Sequence, residues 1–196
     1  MLAGSWALMR YENTPGAVAR TPDQWPVSTA IPRRPGETTL VLFAHPLCPC
    51  SRASMEELAQ IVAQCRGRVT PHVLFLKPAG TDWTSTFLTQ AAAEIPDVHV
   101  LLDEGGREAR RFAAQTSGQV VLYDAQGKLI FSGGITASRG HSGDNAGQSA
   151  IVSLLNAGTA KRDRTLVFGC SLFTPAKTEQ TPKSPAQPKC ELTAKL

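Results

Sequence analysis

The sequence predicts an α/β sandwich whose sheet has parallel and antiparallel parts, and three observations carry that reading. First, short continuous apolar runs alternate with helix-like stretches between residues 39 and 102. Second, two apolar runs, Val120–Tyr123 and Lys128–Phe131, flank the turn residues Asp124–Gly127 as a hairpin would. Third, a last apolar stretch, Ala150–Leu155, has helical character. At 196 residues, with 42% hydrophobic and 18% charged side chains, the chain suits one soluble domain with appendages.

Residues 1–38 read as an irregular lead-in. Met1–Met9 is largely apolar and closes at Arg10. It is shorter than the roughly 20 apolar residues that span a bilayer, and it lacks the basic start of a signal peptide. It reads equally as the stub of a membrane anchor whose upstream part is missing and as an edge-packing start. Pro15, Pro22, Pro26, Pro32 and Pro35 then exclude regular structure up to residue 38.

The domain proper is expected over 39–173. Thr39–Phe43 is continuous and apolar, as a strand buried on both faces would be. From Ser51 the residues Met55, Leu58, Val62 and Cys65 fall on one helical stripe, with Ser54 and Glu57 at capping-box spacing, and Gly67 closes the segment. Val69–Leu76 is a second strand, Asp82–Ala93 a helix, Val98–Leu102 a third strand and Arg107–Ala114 a short helix. Gly133–Gly147 contains five glycines and reads as loop at its centre. Beyond Phe173 the chain turns to Thr, Pro, Lys and Gln, so 174–196 is expected to be a disordered tail.

The chemistry concentrates at Cys48-Pro49-Cys50, where the first strand gives way to the first helix of the domain. Unpaired N–H groups and the positive end of a helix dipole both stabilise a thiolate. Such a thiolate serves as a nucleophile, as half of a disulfide, or as a metal ligand. The formal charge of +4 forms no basic stripe with aromatics, so nucleic acid is not an expected partner. Five cysteines, an odd and sparse number, do not suit a fully paired disulfide scaffold.

The stretch TLVLFAHPLCPCSRASMEEL resembles the active-site strand, turn and helix of the thioredoxin-like superfamily. SGQVVLYDAQGKLIFSGGI is similar to the hairpin that follows in its redoxin members, the TlpA-like and alkyl hydroperoxide reductase/thiol-specific antioxidant branches. The resemblance implies a three-layer sandwich around a central mixed sheet and a thiol–disulfide oxidoreductase without an organic cofactor. It makes Cys48 the attacking thiol and Cys50 the resolving one, with protein thiols or disulfides, or a small-thiol reductant, as partners.

The chain departs from the family pattern in four places. One residue, Pro49, separates the cysteines instead of two, and Leu47 replaces the tryptophan often found before them. Gly118 stands where the family has a cis-proline, and His45 where peroxiredoxins have a threonine. A small ring of this kind favours a more oxidising couple, which suits an extracytoplasmic, membrane-anchored protein.

Two rival readings stand beside it. His45, Cys48 and Cys50, with His141 from the glycine-rich loop, form a soft ligand set for Cu or Zn. A non-catalytic redoxin fold acting as a binding module is the other. Arg139, His141 and Asp144 make a polar cluster that reads either as an anion or proton-steering group or as a solvated loop. Cys170 follows an apolar run and reads as a buried hydrophobe or a third redox thiol. Cys65 reads as core and Cys190 as incidental, while His72 and His99 read as structural strand histidines.

Overall fold

The computed structural model describes residues 2–173, the side chains of 2–5 and 7 excepted. The expected tail 174–196, with Cys190, lies outside the described residues. The elements are α1 (Leu2–Glu12), β1 (Thr39–Ala44), α2 (Ser51–Gln64), β2 (Thr70–Lys77), α3 (Phe87–Ala93), β3 (His99–Glu104), α4 (Arg107–Arg111), β4 (Gln119–Tyr123), β5 (Leu129–Gly134) and α5 (Ala146–Ala157). Five strands form one sheet in the order β3-β2-β1-β4-β5. β1 and β2 run parallel, as do β2 and β3, whereas β4 is antiparallel to both β1 and β5. The mixed sheet expected from the sequence is therefore present.

Every residue of β1 is buried, because the sheet is covered on both faces. Leu40, Leu42 and Ala44 point into a core shared with Met55, Leu58, Ile61 and Val62 of α2, Leu88 of α3 and Ile151 of α5. Val41 and Phe43 point the other way, toward Phe112, Tyr123, Ile31 and Leu172. The short α4 contributes Ala109 to that second face. The third layer is completed by the lead-in and by residues 165–173, which run across the face as a strap.

The lead-in is thus neither wholly irregular nor free. Its first residues form α1, and its later ones are hydrogen-bonded to the hairpin. Trp25 N–H donates to Gly127 O (2.8 Å), Leu129 N–H to Asp23 O (2.9 Å), and Tyr123 Oη to Pro22 O (2.8 Å). Proline supplies no N–H, so the lead-in donates here through Trp25, while Pro22 and Asp23 accept through their carbonyls. No described helix is long and apolar enough to cross a membrane.

Two further expectations are corrected. Asp82–Ala93 is helical only from Phe87, because Thr86 caps that helix reciprocally with Thr89. Ser54 and Glu57 form no capping box: the N-cap of α2 is Cys50, without a side-chain cap bond, and both residues lie buried inside the helix. Glu57 instead accepts hydrogen bonds from Gly143 N–H (2.5 Å) and Asn145 Nδ2 (3.1 Å), which binds the glycine-rich loop to α2.

His72 of β2 is 1% exposed, and its ring lies 5.2 Å from that of His99 on β3. Burial pushes its pKa from 6.5 down to about 4, and the neighbouring His99 adds to the effect. The folded state thus holds His72 neutral where the unfolded chain would protonate it. Stability from this site is complete above pH 6.5 and declines as pH falls toward 4. A loss on the order of 2–3 kcal/mol across that window is expected. Thermal midpoints at pH 7 and pH 4.5 check it, because His72→Leu should show the smaller acid-induced drop.

Candidate functional site: three thiols at the carboxyl end of β1

β1 ends at Ala44 and the chain turns tightly before α2. Cys48 N–H donates to His45 O (3.0 Å), and Ser51 N–H donates to Cys48 O (3.1 Å). This turn places Cys48 and Cys50 at the start of α2, as the sequence predicted. Cys48 is buried, at 2% exposure, and Cys50 is half-buried.

A third thiol joins them. The sulfurs of Cys48, Cys50 and Cys170 all lie within 4.8 Å of one another. Cys170 arrives on the strap, which pairs with the segment before β4: Leu172 N–H donates to Gln115 O (2.8 Å) and Ser117 N–H to Cys170 O (2.8 Å). Gly169 packs so closely on Ser117 O that any side chain there would collide with backbone. The apolar run Leu166–Phe168 and the glycine after it were the sequence signals for this return. Nothing in the sequence showed which end of the sheet it reaches.

The thiols differ electrostatically. Burial pushes the Cys48 thiol up, but hydrogen bonds from the Cys170 thiol and N–H, the Ser51 hydroxyl and the Cys50 N–H outweigh it, and the net shift is downward. Cys50 is pushed up by burial and then by the charge of Cys48, with Arg139 opposing. Cys170 is pushed up to about 12, by burial first and by Cys48 next. Of the three thiols, Cys48 is thus the one whose surroundings favour the thiolate, while those of Cys50 and Cys170 favour the protonated form.

Behind Cys48 runs a hydrogen-bond relay that sequence reasoning missed. His45 N–H donates to Ser117 Oγ (2.7 Å), and Ser117 Oγ lies 2.7 Å from Ser51 Oγ. Either hydroxyl can supply the hydrogen between them. Ser117 directly precedes Gly118, the residue that the sequence resemblance places at the family's cis-proline position. Gly118 has φ +91° and donates its N–H to Phe43 O (2.8 Å). Proline offers neither that dihedral nor that donor.

Among the described residues the cluster of potential metal ligands holds cysteines alone, without His45 or His141. His45 Nδ1 accepts from Leu47 N–H (3.2 Å), its ring lies 5.2 Å from Trp83, and burial lowers its pKa. His141 is exposed, with Nδ1 2.8 Å from Arg139 O. Pro49 is exposed between the two cysteines of the turn.

Arg139 clasps the strap and α1 together. Its guanidinium donates to Gly169 O, Tyr11 O (3.1 Å) and Thr14 O (3.3 Å), and lies 4.9 Å from the Tyr11 ring centre. The glycine-rich loop thus borders the cysteines, because β5 ends beside the start of β4 and hence beside the end of β1. Cys65 closes α2 as a buried residue.

No family model and no curated protein matches the chain. Solved structures do. An uncharacterized conserved protein from Geobacillus kaustophilus aligns with TM-score 0.59 and 18% identity, over 84% of this chain and 94% of that one. A hypothetical protein from Sinorhizobium meliloti aligns with TM-score 0.58 and 18% identity, over 72% and 82%. A secreted Mycobacterium tuberculosis disulfide oxidoreductase homologous to E. coli DsbE aligns with TM-score 0.45 and 18% identity, over 62% and 82%, which is too distant to add weight. The strand order, the directions of the strands and the cysteine turn after β1 are those of a thioredoxin-like fold.

Proposed function

We propose that the protein is a thiol–disulfide oxidoreductase in which Cys48 is the attacking thiol and Cys50 the family's resolving position. The observation that supports this best is the gathering of three sulfurs within 4.8 Å at the start of α2, with Cys48 the one whose pKa is lowered. The thiolate attacks one sulfur of a disulfide RS–SR, so that Cys48–S–SR forms and RS⁻ leaves, taking a proton from solvent. A second thiolate of the cluster then attacks the Cys48 sulfur and expels the other RS⁻, which takes the proton given up by that thiol. Two protein thiols are oxidised and one disulfide is reduced, with no cofactor. The burial of Cys48 favours disulfides of small thiols over those of bulky folded proteins.

One observation favours a second reading. A third sulfur in the cluster offers a soft ion such as Cu or Zn three thiolate ligands. Here Cys170 takes the place expected of His45 or His141. An extracytoplasmic, membrane-anchored setting belongs to the first reading, because an oxidising pair persists there.

The deciding experiment purifies the protein anaerobically and measures bound metal and free thiols, then titrates it with glutathione buffers of stepped ratio. Metal-free protein whose thiols oxidise and recover reversibly is the expected result. Stoichiometric Cu or Zn, lost in Cys50→Ser, would overturn it in favour of the metal site. Inert, empty thiols would leave a binding module.

A further inference from the structure

We propose that Cys170, rather than Cys50, closes the disulfide with Cys48, so that oxidation staples the strap to the active-site turn. The inference rests on the oxidoreductase reading above and names the residue that completes its cycle.

The backbone of the turn argues against Cys50. Cys50 has helical dihedrals, φ −65° and ψ −26°, and the Cys48 carbonyl is already engaged by Ser51 N–H at 3.1 Å. The Cys50 sulfur lies within 4.8 Å of Cys48 too, so proximity does not choose between the partners and the backbone must. A Cys48–Cys50 bond would need the turn to open, with Pro49 fixing φ between the partners. It would also disturb the N–H groups that stabilise the Cys48 thiolate.

Cys170 meets no such obstacle. It approaches from a separate segment, already in place through the Ser117–Cys170 and Gln115–Leu172 backbone bonds, the Arg139 bond to Gly169 O and the burial of Leu172. Its thiol and its N–H are the two largest causes that lower the Cys48 pKa. The two sulfurs need to close from within 4.8 Å to the roughly 2 Å of a disulfide, a motion within reach of side-chain rotation.

The charges supply the order of events. While Cys48 is a thiolate, its charge helps to hold Cys170 protonated. Once Cys48 is in a mixed disulfide, that charge and the hydrogen bond to it are gone. Burial still opposes ionisation of Cys170, but Arg139 favours it, and the fraction of Cys170 that is thiolate attacks the Cys48 sulfur. RS⁻ leaves with the proton that Cys170 gives up, and the Cys48–Cys170 bond is the product.

The test oxidises the full chain with glutathione disulfide, quenches with an alkylating agent and maps disulfides by peptide mass. Wild type should yield Cys48–Cys170. Cys170→Ser should accumulate glutathione on Cys48 and resolve it about tenfold more slowly, whereas Cys50→Ser should still form the Cys48–Cys170 link. A Cys48–Cys50 link in wild type, with normal resolution in Cys170→Ser, would overturn the inference and leave the oxidoreductase reading intact. Absence of any mixed or internal disulfide on Cys48 would overturn both. The wild-type map needs no variant to fold.

Discussion

Cys48→Ser is expected to slow the reaction of the protein with glutathione disulfide by about a hundredfold at neutral pH. The thiolate is the nucleophile, and Cys48 alone in the cluster has its pKa lowered. Removing it relieves Cys50 and Cys170 of a neighbouring negative charge, but burial, the larger cause of both upward shifts, remains. The two surviving thiols therefore stay mostly protonated and do not compensate. Stopped-flow or mass-resolved exchange rates for the three single variants check this. A Cys48→Ser protein that reacts as fast as Cys50→Ser would move the nucleophile elsewhere. Ser51→Ala should fall between them, because it removes one of the hydrogen bonds to the thiolate but leaves the sulfur.

Much of this site was legible in the sequence because its parts are local. A strand that is apolar at every position must be central and covered on both faces, and β1 is. The cysteines directly after it then fall at the carboxyl end of that strand, where such sheets bind ligands. The α2 stripe Met55, Leu58, Val62 was equally plain, since a 3.6-residue period has few other readings. The hairpin announced itself through Asp124 and Gly127, and Asp124 Oδ1 indeed accepts the Gln126 and Lys128 N–H groups at 2.9 Å.

What escaped is non-local. Cys170 is separated from Cys48 by most of the domain, and its place depends on a strap that has no regular structure and hence no periodic signature. The same holds for the third layer. Prolines marked the lead-in as irregular, but irregular chain packs as firmly as a helix when its N–H and C=O groups find partners. Ser54 and Glu57 misled in the opposite way, because capping-box spacing also occurs inside helices. Glu57 is buried there to hold the 143–145 loop, a tertiary role invisible in a local pattern.

Phe112→Ala is expected to cost about 3–5 kcal/mol, enough to lower the thermal midpoint by about 10 °C or more. Phe112 is fully buried, with ring centres of Trp25 at 5.2 Å, Phe43 at 5.5 Å and Tyr123 at 5.9 Å. It joins the lead-in to the sheet, so truncation leaves a cavity between two layers and loosens Trp25 as well. Phe87→Ala, on an exposed ring, should stay within about 0.5 kcal/mol and serves as the control. The functional effect should exceed simple destabilisation. Phe112 anchors the start of the segment 113–118, in which Ala113 takes the left-handed φ of 55° and Ser117 orients Ser51 beneath Cys48. A folded Phe112→Ala protein should therefore show a raised Cys48 pKa in the pH profile of its alkylation. An unchanged profile, with the stability loss present, would show that the serine relay is held by the strap and not by the aromatic cluster.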